Sequence, residues 1–267
     1  MLLFIWVMIM DKDKDRVARK SNDLIRCFNF DFSAQQQKII LYLVSQIDPW
    51  QDDFGCQKID LLGFCHACGI DSNGGKNYAD LKRQIKDLSF QWYTAHDGSQ
   101  RALIWFDAVT INGGVITVEF HKSMKPYLLQ LKKNFTQIEL AYVFAMKSKY
   151  SIRLYELLCS VHYDKFSDYT ITYPISDLQK KLGAKYNLYA DFKKRVLDVA
   201  VQEICECTDK DVTYLEIKER KRVDVIQITI STKSVIDRLK VLAHNEAVLQ
   251  KKKKSLAISG ARGVNGD

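Results

Sequence analysis

The chain contains few residues that break or loosen secondary structure. Three prolines and twelve glycines are spread over 267 residues, which leaves little room for long disordered segments. The apolar run Met1–Met10 is much shorter than the roughly 20 residues that a membrane-spanning helix needs. It also lacks the basic start and the small-residue cleavage site of a signal peptide. We expect an overlong start or a packed N-terminal element there, and no membrane anchor.

Motifs for catalysis and for metal binding are missing from the sequence as well. The five histidines include no His-x-His pair, which rolling-circle nickases combine with a tyrosine nucleophile. The segment Gly69–Asn77 has the wrong spacing and the wrong last residue for a phosphate-binding P-loop. Cys65 and Cys68 have the spacing of a metal-binding pair, but no second pair matches it, so buried apolar cysteines are expected. The sequence therefore predicts no enzyme, no metal and no cofactor.

The composition indicates a globular protein with an anionic partner. Apolar residues make up 47% of a chain that is long enough for two domains. The net charge of +8 favours nucleic acid as that partner. Part of this charge comes from Lys251–Lys254, which opens a tail that we expect to be solvated and mobile. Seven cysteines, an odd number without a disulfide framework, indicate a reducing cytoplasm.

A segment of the first half returns in the second half. Tyr78–Leu88 reads YADLKRQIKDL, and Tyr189–Val199 reads YADFKKRVLDV. Each copy follows a short apolar segment that ends in glycine, Ile59–Gly69 and Ile175–Gly183. Copies this far apart do not form a solenoid, whose repeats are shorter. They indicate a domain that occurs twice.

Each half has the same predicted order of elements, with helices followed by a hairpin of strands. In the first half the helices are Ser33–Ile47, Ile59–Cys68 and Tyr78–Leu88, and the strands are Phe90–Ala95, Arg101–Val109 and Val115–Phe120, the first two joined at His96–Gly98. In the second half the helices are Ser151–His162, Ile175–Leu182 and Leu188–Cys205, and the strands are Tyr169–Tyr173, Val212–Ile217 and Val225–Ile230. The predicted fold class is α+β, with two tandem winged-helix (winged helix-turn-helix) domains related by internal duplication.

The predicted division of the chain follows from this order. It runs from an extension (1–16) through a first winged-helix domain (17–125), a connector (126–147) and a second winged-helix domain (148–233) to a basic tail (234–267). The aromatic-rich strands Arg101–Val109 and Val115–Phe120 are predicted to form the dimer surface at an exposed sheet edge. The second domain is predicted to be the main reader of DNA.

The repeated helix of the second half is predicted to pack one face and to present cations on the other. At 100° per residue, the predicted core stripe contains Leu188, Phe192, Val196, Val199 and Glu203. Lys193 then lies at the edge of this stripe, and Lys194 lies on the outer face. Such a helix suits the major groove of DNA. The basic turn Lys218–Arg222 suits a wing that follows a phosphate backbone or a minor groove.

Several segments of the chain resemble the iteron-binding replication initiator (Rep) proteins of theta-replicating plasmids. They are Ser148–Leu158 (SKYSIRLYELL), Phe192–Ile204 (FKKRVLDVAVQEI) and Lys20–Ile25 (KSNDLI), the last of which precedes a glutamine-rich helix start at Gln35–Gln37. The resemblance covers roughly residues 17–230 and implies two winged-helix domains, in agreement with the repeat.

The resemblance also implies a function. It implies a protein that binds direct iteron repeats at a plasmid origin as a monomer, and that binds operator DNA as a dimer to repress its own gene. The homodimer would be in equilibrium with the monomer, and host replication initiator and helicase would be further partners. The residues alone leave an alternative open, which is a dimeric winged-helix transcriptional regulator with no role in replication.

The candidate DNA-binding residues lie on the second repeated helix, on the wing and on the first repeated helix. The major-groove contacts of the family correspond here to Lys193, Lys194 and Arg195. The full set is Tyr189, Lys193, Lys194, Arg195, Lys218, Arg220, Lys221, Arg222, Lys76, Lys82 and Arg83. The sequence departs from the family pattern in the turn, where Glu219 precedes Arg220 in place of the usual Gly-Arg pair.

Overall fold

The computed structural model describes residues 17–27, 31–68, 75–88, 90–94, 99–162 and 167–262. The predicted extension 1–16, the hairpin turn at His96–Gly98 and residues 69–74 of the rejected P-loop lie outside this part of the chain. Within it, the first half begins with β1 (Val17–Ser21), α1 (Asn22–Arg26), α2 (Ala34–Ser45), β2 (Gln57–Asp60), α3 (Leu61–Cys68) and α4 (Gly75–Asp87). It continues with β3 (Phe90–Thr94), β4 (Gln100–Ile104), β5 (Phe106–Asn112) and β6 (Val115–Phe120).

The middle of the chain contains a 3₁₀ turn (Lys122–Met124), α5 (Lys125–Leu128), β7 (Phe135–Glu139) and α6 (Leu140–Ala145). The second half then contains α7 (Lys149–Val161), β8 (Tyr169–Pro174), α8 (Ile175–Leu182), α9 (Tyr189–Phe192), a π-helical turn (Lys193–Leu197), α10 (Asp198–Cys207), β9 (Lys210–Glu219), β10 (Arg222–Thr232) and α11 (Val235–Arg262). The chain therefore combines helices with strands, and all the described strand pairings are antiparallel, as suits the α+β prediction.

The two halves have the same sheet topology. The strand order is β2-β6-β5 in one three-stranded sheet and β8-β10-β9 in the other, and every pairing is antiparallel. In each half a helix precedes a short strand, two helices follow it, and a hairpin closes the sheet by pairing one of its strands with the short one. The first half carries an additional antiparallel pair, β3 with β4, before its hairpin. This shared topology supports the duplication.

Local signals fix several helix ends. Ser33 accepts a hydrogen bond from the N–H of Gln36 at 3.1 Å while the Gln36 side chain accepts one from the N–H of Ser33 at 2.9 Å, so α2 begins with a capping box. Gly183 ends α8 with a left-handed φ of 64°, a conformation that costs glycine little. The predicted bounds of both helix ends are therefore close to the observed ones.

The predicted helix Ile59–Cys68 and the predicted strand Arg101–Val109 were each wrong in one part. Ile59 belongs to β2, where it pairs with Ile116, and the helix begins only at Leu61. The predicted strand is interrupted at Trp105, whose ring is buried in the core, and so it divides into β4 and β5. Alternating apolar residues in a short segment suit either a strand or a helix, and tertiary pairing decided between them here.

The predicted dimer surface needs a similar correction. β6 (predicted as Val115–Phe120) lies between β2 and β5 and pairs with both, so its backbone has no open edge for a second copy. β5 is an edge strand of this sheet within the described residues. Among the described strands, β4 pairs only with β3, so part of the predicted surface remains available, on β4 and β5.

The segment that was predicted as a connector (126–147) takes part in the fold of the first half. β7 pairs antiparallel with β1, with Val17 opposite Glu139. Thr136 and Ile138 of β7 are buried, which explains why this segment packs instead of linking. α6 packs against α2 and α11.

The predicted basic tail (234–267) forms a helix, α11, as far as Arg262, so the part from Lys251 that was expected to be mobile begins within this helix. Ser234 accepts a hydrogen bond from the N–H of Asp237 at 3.2 Å and so caps the start of the helix. Val241 and Leu242 pack against the core, and the buried Asn245 donates from Nδ2 to the carbonyl oxygen of Cys207 at 2.8 Å. Packing of one helical face therefore orders a segment whose sequence is strongly basic.

Candidate nucleic-acid interface

The second repeated helix contains a π-helical turn at its cations. Phe192 and Val196 are buried as predicted, but the next buried residues are Leu197, Ala200 and Ile204. The wider turn over Lys193–Leu197 adds a residue, so the adjacent Val196 and Leu197 both face the core. The core stripe predicted at 100° per residue was therefore wrong at Leu188, which is 65% exposed, and at Val199 and Glu203, which are half-buried.

Glu203 was predicted to lie in the core, but its carboxylate binds the start of another helix. Its carboxylate accepts hydrogen bonds from the N–H of Lys147 and of Ser148, at 3.2 and 3.0 Å. These two N–H groups stand at the start of α7, where a helix has free donors and a positive dipole end. The carboxylate therefore fixes α10, which follows the π turn, to the start of α7.

The three consecutive cations of the π turn have different surroundings. Lys193 Nζ lies 2.6 Å from Oε1 of Glu216 on β9, and 42% of the Lys193 side chain is exposed. Lys194 is exposed. Arg195 is also exposed, and its Nε lies 3.5 Å from Asp191 one turn earlier. The two cations that follow Lys193 therefore face solvent, while Lys193 is held against the wing strand.

A second contact joins this helix to β9. The hydroxyl of Tyr214 donates to Asp198, and the Tyr214 ring lies 6.0 Å below the ammonium group of Lys193. Burial raises the pKa of Tyr214, and the hydrogen bond to Asp198 raises it further. Burial and the neighbouring Glu216 raise the pKa of the candidate residue Tyr189 as well. Tyr189 and Lys193 therefore both lie near Glu216, which accepts a hydrogen bond from Lys193, while the buried Tyr189 hydroxyl has no atom within hydrogen-bond geometry among the described residues.

Glu216, Tyr214 and Asp198 were not among the predicted site residues. A signal for the two strand residues was present, since alternation along Val212–Ile217 places Tyr214 and Glu216 on the same face as the buried Val212. Lys193 holds the pKa of Glu216 below its ordinary value, and the nearby Lys218 lowers it further. The carboxylate is therefore charged at neutral pH.

The wing is the hairpin of β9 and β10. Its two-residue turn consists of Arg220 and Lys221, and the candidate residues Lys218 and Arg222 lie on the strand ends beside it. All four cations are exposed, which places a concentrated positive charge at the apex of the hairpin. Arg220 has a left-handed φ of 57°. A left-handed φ favours glycine, but the family pattern has its glycine one position earlier, where this chain has Glu219.

The first repeated helix, α4, matches its twin in packing. Leu81 and Ile85 are buried as Phe192 and Val196 are. Lys82 and Arg83 are exposed, and Arg83 Nη2 lies 2.9 Å from Asp80. Lys76 is in the first turn of α4, but its side chain lies outside the described residues.

Two winged-helix models of one protein family match the chain. The model described as Initiator Replication protein, WH1 matches residues 17–159, and the model described as Initiator Rep protein, WH2 matches residues 174–230. The chain belongs to the initiator replication protein family. The predictions of this family and of two winged-helix domains are thereby confirmed. The WH1 match includes the segment 126–147 and most of α7.

A solved structure of another initiator has the same fold. The crystal structure of Pi initiator protein in complex with iteron DNA superimposes with a TM-score of 0.71 at 18% sequence identity. The match covers 83% of this chain and 99% of that chain. At this identity the likeness shows a shared fold.

Neither a metal centre nor a membrane span is found in the described part of this initiator. No three histidine, cysteine or acidic side chains gather there to hold a metal ion. Cys65 is buried and Cys56 is exposed, so they have different surroundings. Among its described helices, none is both long and apolar enough to cross a bilayer.

Proposed function

We propose that this initiator binds directly repeated iterons at a plasmid origin as a monomer, using both winged helices. The observation that carries the proposal is the pair of matched helices, each with exposed cations, in a fold whose second wing ends in four cations. Cations at a helix and a hairpin apex supply major-groove and phosphate contacts together. The solved structure of Pi initiator protein with iteron DNA supports this use of the fold.

The proposal includes a second state of the protein. As a homodimer in equilibrium with the monomer, it binds operator DNA and represses its own gene, with the β5 edge as the contact between copies. Host replication initiator and helicase are its further partners at the origin. Cys56, Cys159, Cys205 and Cys207 form no disulfide, which suits the reducing bacterial cytoplasm where these partners act.

The function is tested with a plasmid that carries direct repeats at its origin but lacks its own initiator gene. Supplying the protein in trans is expected to restore replication, and footprinting is expected to show one protein on each repeat. A transcriptional regulator would protect the DNA without restoring replication. A nicking enzyme would relax the supercoiled plasmid, which this initiator is not expected to do.

A further inference from the structure

A carboxylate of the wing strand forms an ion pair with one of the candidate DNA-binding cations of the helix. Oε1 of Glu216 lies 2.6 Å from Nζ of Lys193, and the Glu216 side chain is 23% exposed. An ammonium group in this contact has a carboxylate oxygen where a phosphate oxygen would otherwise lie. Lys193 is therefore partly neutralised before any DNA arrives.

The contact belongs to a small cluster of four side chains. Asp198 and Tyr214 form a second link between the same helix and the same strand. Lys193 and Asp198 lie at the two ends of the π turn, and Tyr214 and Glu216 lie on one face of β9. Two links of this kind join the helix to the wing strand, so Glu216 lies beside Lys193 when no DNA is bound.

The surroundings of Lys193 differ from those of the two cations that follow it. Lys194 is exposed, and Arg195 has a contact of 3.5 Å to Asp191 of its own helix. Of these three cations, Lys193 is thus the one that is paired with a residue of the wing. A partly exposed ion pair contributes little net stability in water, so a phosphate or a base edge that fits closely can displace Glu216.

We propose that Glu216 is a specificity-determining residue of this initiator, one that withholds Lys193 from the phosphates of unselected DNA. The inference rests on the proposed DNA-binding function. On an iteron, base contacts seat the helix deeply enough for DNA to compete with Glu216 for Lys193. On other sequences the helix lacks these contacts, and the pair with Glu216 persists. Sequence-independent binding depends mainly on the number of phosphates neutralised, so withholding one cation raises the ratio of specific to non-specific affinity.

The test uses the full-length protein with Glu216→Gln, which removes the charge and keeps the shape. Asp224→Asn is the matched control, since Asp224 is an exposed acid on the neighbouring wing strand β10. The double variant Glu216→Gln with Lys193→Met shows whether the effect of Glu216→Gln on DNA affinity depends on Lys193. Binding is measured by fluorescence anisotropy at several salt concentrations. One duplex is selected by the wild-type protein from a random pool, and the other has the same composition in scrambled order.

Glu216→Gln is expected to raise affinity for the scrambled duplex by roughly five- to tenfold and to steepen its salt dependence by about one unit of slope. Affinity for the selected duplex rises less, so the specificity ratio falls severalfold. The double variant is expected to have the wild-type slope of salt dependence. Asp224→Asn is expected to change the affinity for both duplexes by the same factor. Equal gains of Glu216→Gln on both duplexes, an unchanged slope, or a loss of affinity on both would overturn the proposal. If the wild-type protein selects no sequence from the pool, the proposed function itself fails.

Discussion

Lys20 of β1 and Glu156 of α7 form an ion pair that is buried between the N-terminal strand and the central helix. Arg153 extends the pair, because its Nη1 lies 3.5 Å from Glu156 Oε2 and its Nη2 donates to the carbonyl oxygen of Ile25. Its Nε donates to the carbonyl oxygen of Lys181 at 3.0 Å. One charged cluster therefore connects the start of the chain, α7 and the end of α8.

Removing the acid of this cluster is expected to destabilise the fold strongly. Glu156→Gln leaves Lys20 and Arg153 buried without a carboxylate, and burial already lowers the pKa of both cations. We expect a loss of about 3–5 kcal/mol in the free energy of unfolding, measured by urea denaturation. Asp31→Asn is the control, since Asp31 pairs with Lys149 at the surface and its removal costs at most about 1 kcal/mol. Equal losses in the two variants would contradict the role of the cluster.

The fold could largely be predicted because local patterns decide much of it. The serine and glutamine of the α2 capping box and the glycine that ends α8 are such signals. The order of elements in each half, with its repeat, was enough to identify the winged helices. The β7 pairing and α11 depend on partners that are distant in the chain, so local patterns did not predict them.

The candidate site was predicted only in outline. Exposure of Lys194 and Arg195 follows from their places on the helix, but the π turn shifts every later residue by one position. That shift arises from packing, and a periodicity of 100° per residue does not include it. Pairing of Lys193 with Glu216 depends on which strand packs against the helix, which a strand pattern alone does not reveal.

The exposed cations of the π turn are expected to carry sequence reading. Lys194→Ala and Arg195→Ala should each weaken binding to the selected duplex by about 1–3 kcal/mol if each contacts a base. Lys193→Ala should weaken it less, because Glu216 already neutralises part of that charge. Gel shifts at fixed salt provide the measurement, with Lys240→Ala of α11 as a control of equal charge change. Unchanged affinity in both Lys194→Ala and Arg195→Ala would remove this helix from the interface.

The wing is expected to contribute sequence-independent affinity. Neutralising Arg220, Lys221 and Arg222 together should weaken binding to selected and scrambled duplexes alike. The slope of log affinity against log salt should become shallower by about 0.9 for each phosphate that the wing no longer neutralises. A weakening confined to the selected duplex, with the slope intact, would mean that the wing reads bases.

Replacing Arg220 by glycine should change the stability of the protein and its affinity for DNA in different ways. A non-glycine residue at a φ of 57° is strained by about 1–2 kcal/mol, which glycine avoids. Arg220→Gly is therefore expected to keep or raise the thermal stability while it lowers DNA affinity. Arg220→Ala removes the same cation but keeps the strain, so it serves as the control. A lower melting temperature for Arg220→Gly than for Arg220→Ala would show that the turn has another conformation.

Because the domain is duplicated, we expect each of the two winged helices of one chain to contact the same repeat. Both winged helices are on one chain, so the second contact forms at a high effective concentration once the first is made. Lys82→Ala with Arg83→Ala should therefore lower affinity and shorten the footprint on the side of the first domain, while sequence preference is kept. Lys132→Ala with Lys133→Ala removes two exposed cations elsewhere and should leave the footprint unchanged. The full chain is required for this measurement, because α7 is buried against both halves and a fragment would expose Arg153 and Glu156. Protection of the whole repeat at wild-type affinity by the α4 double variant would leave dimerisation as the only role of the first domain.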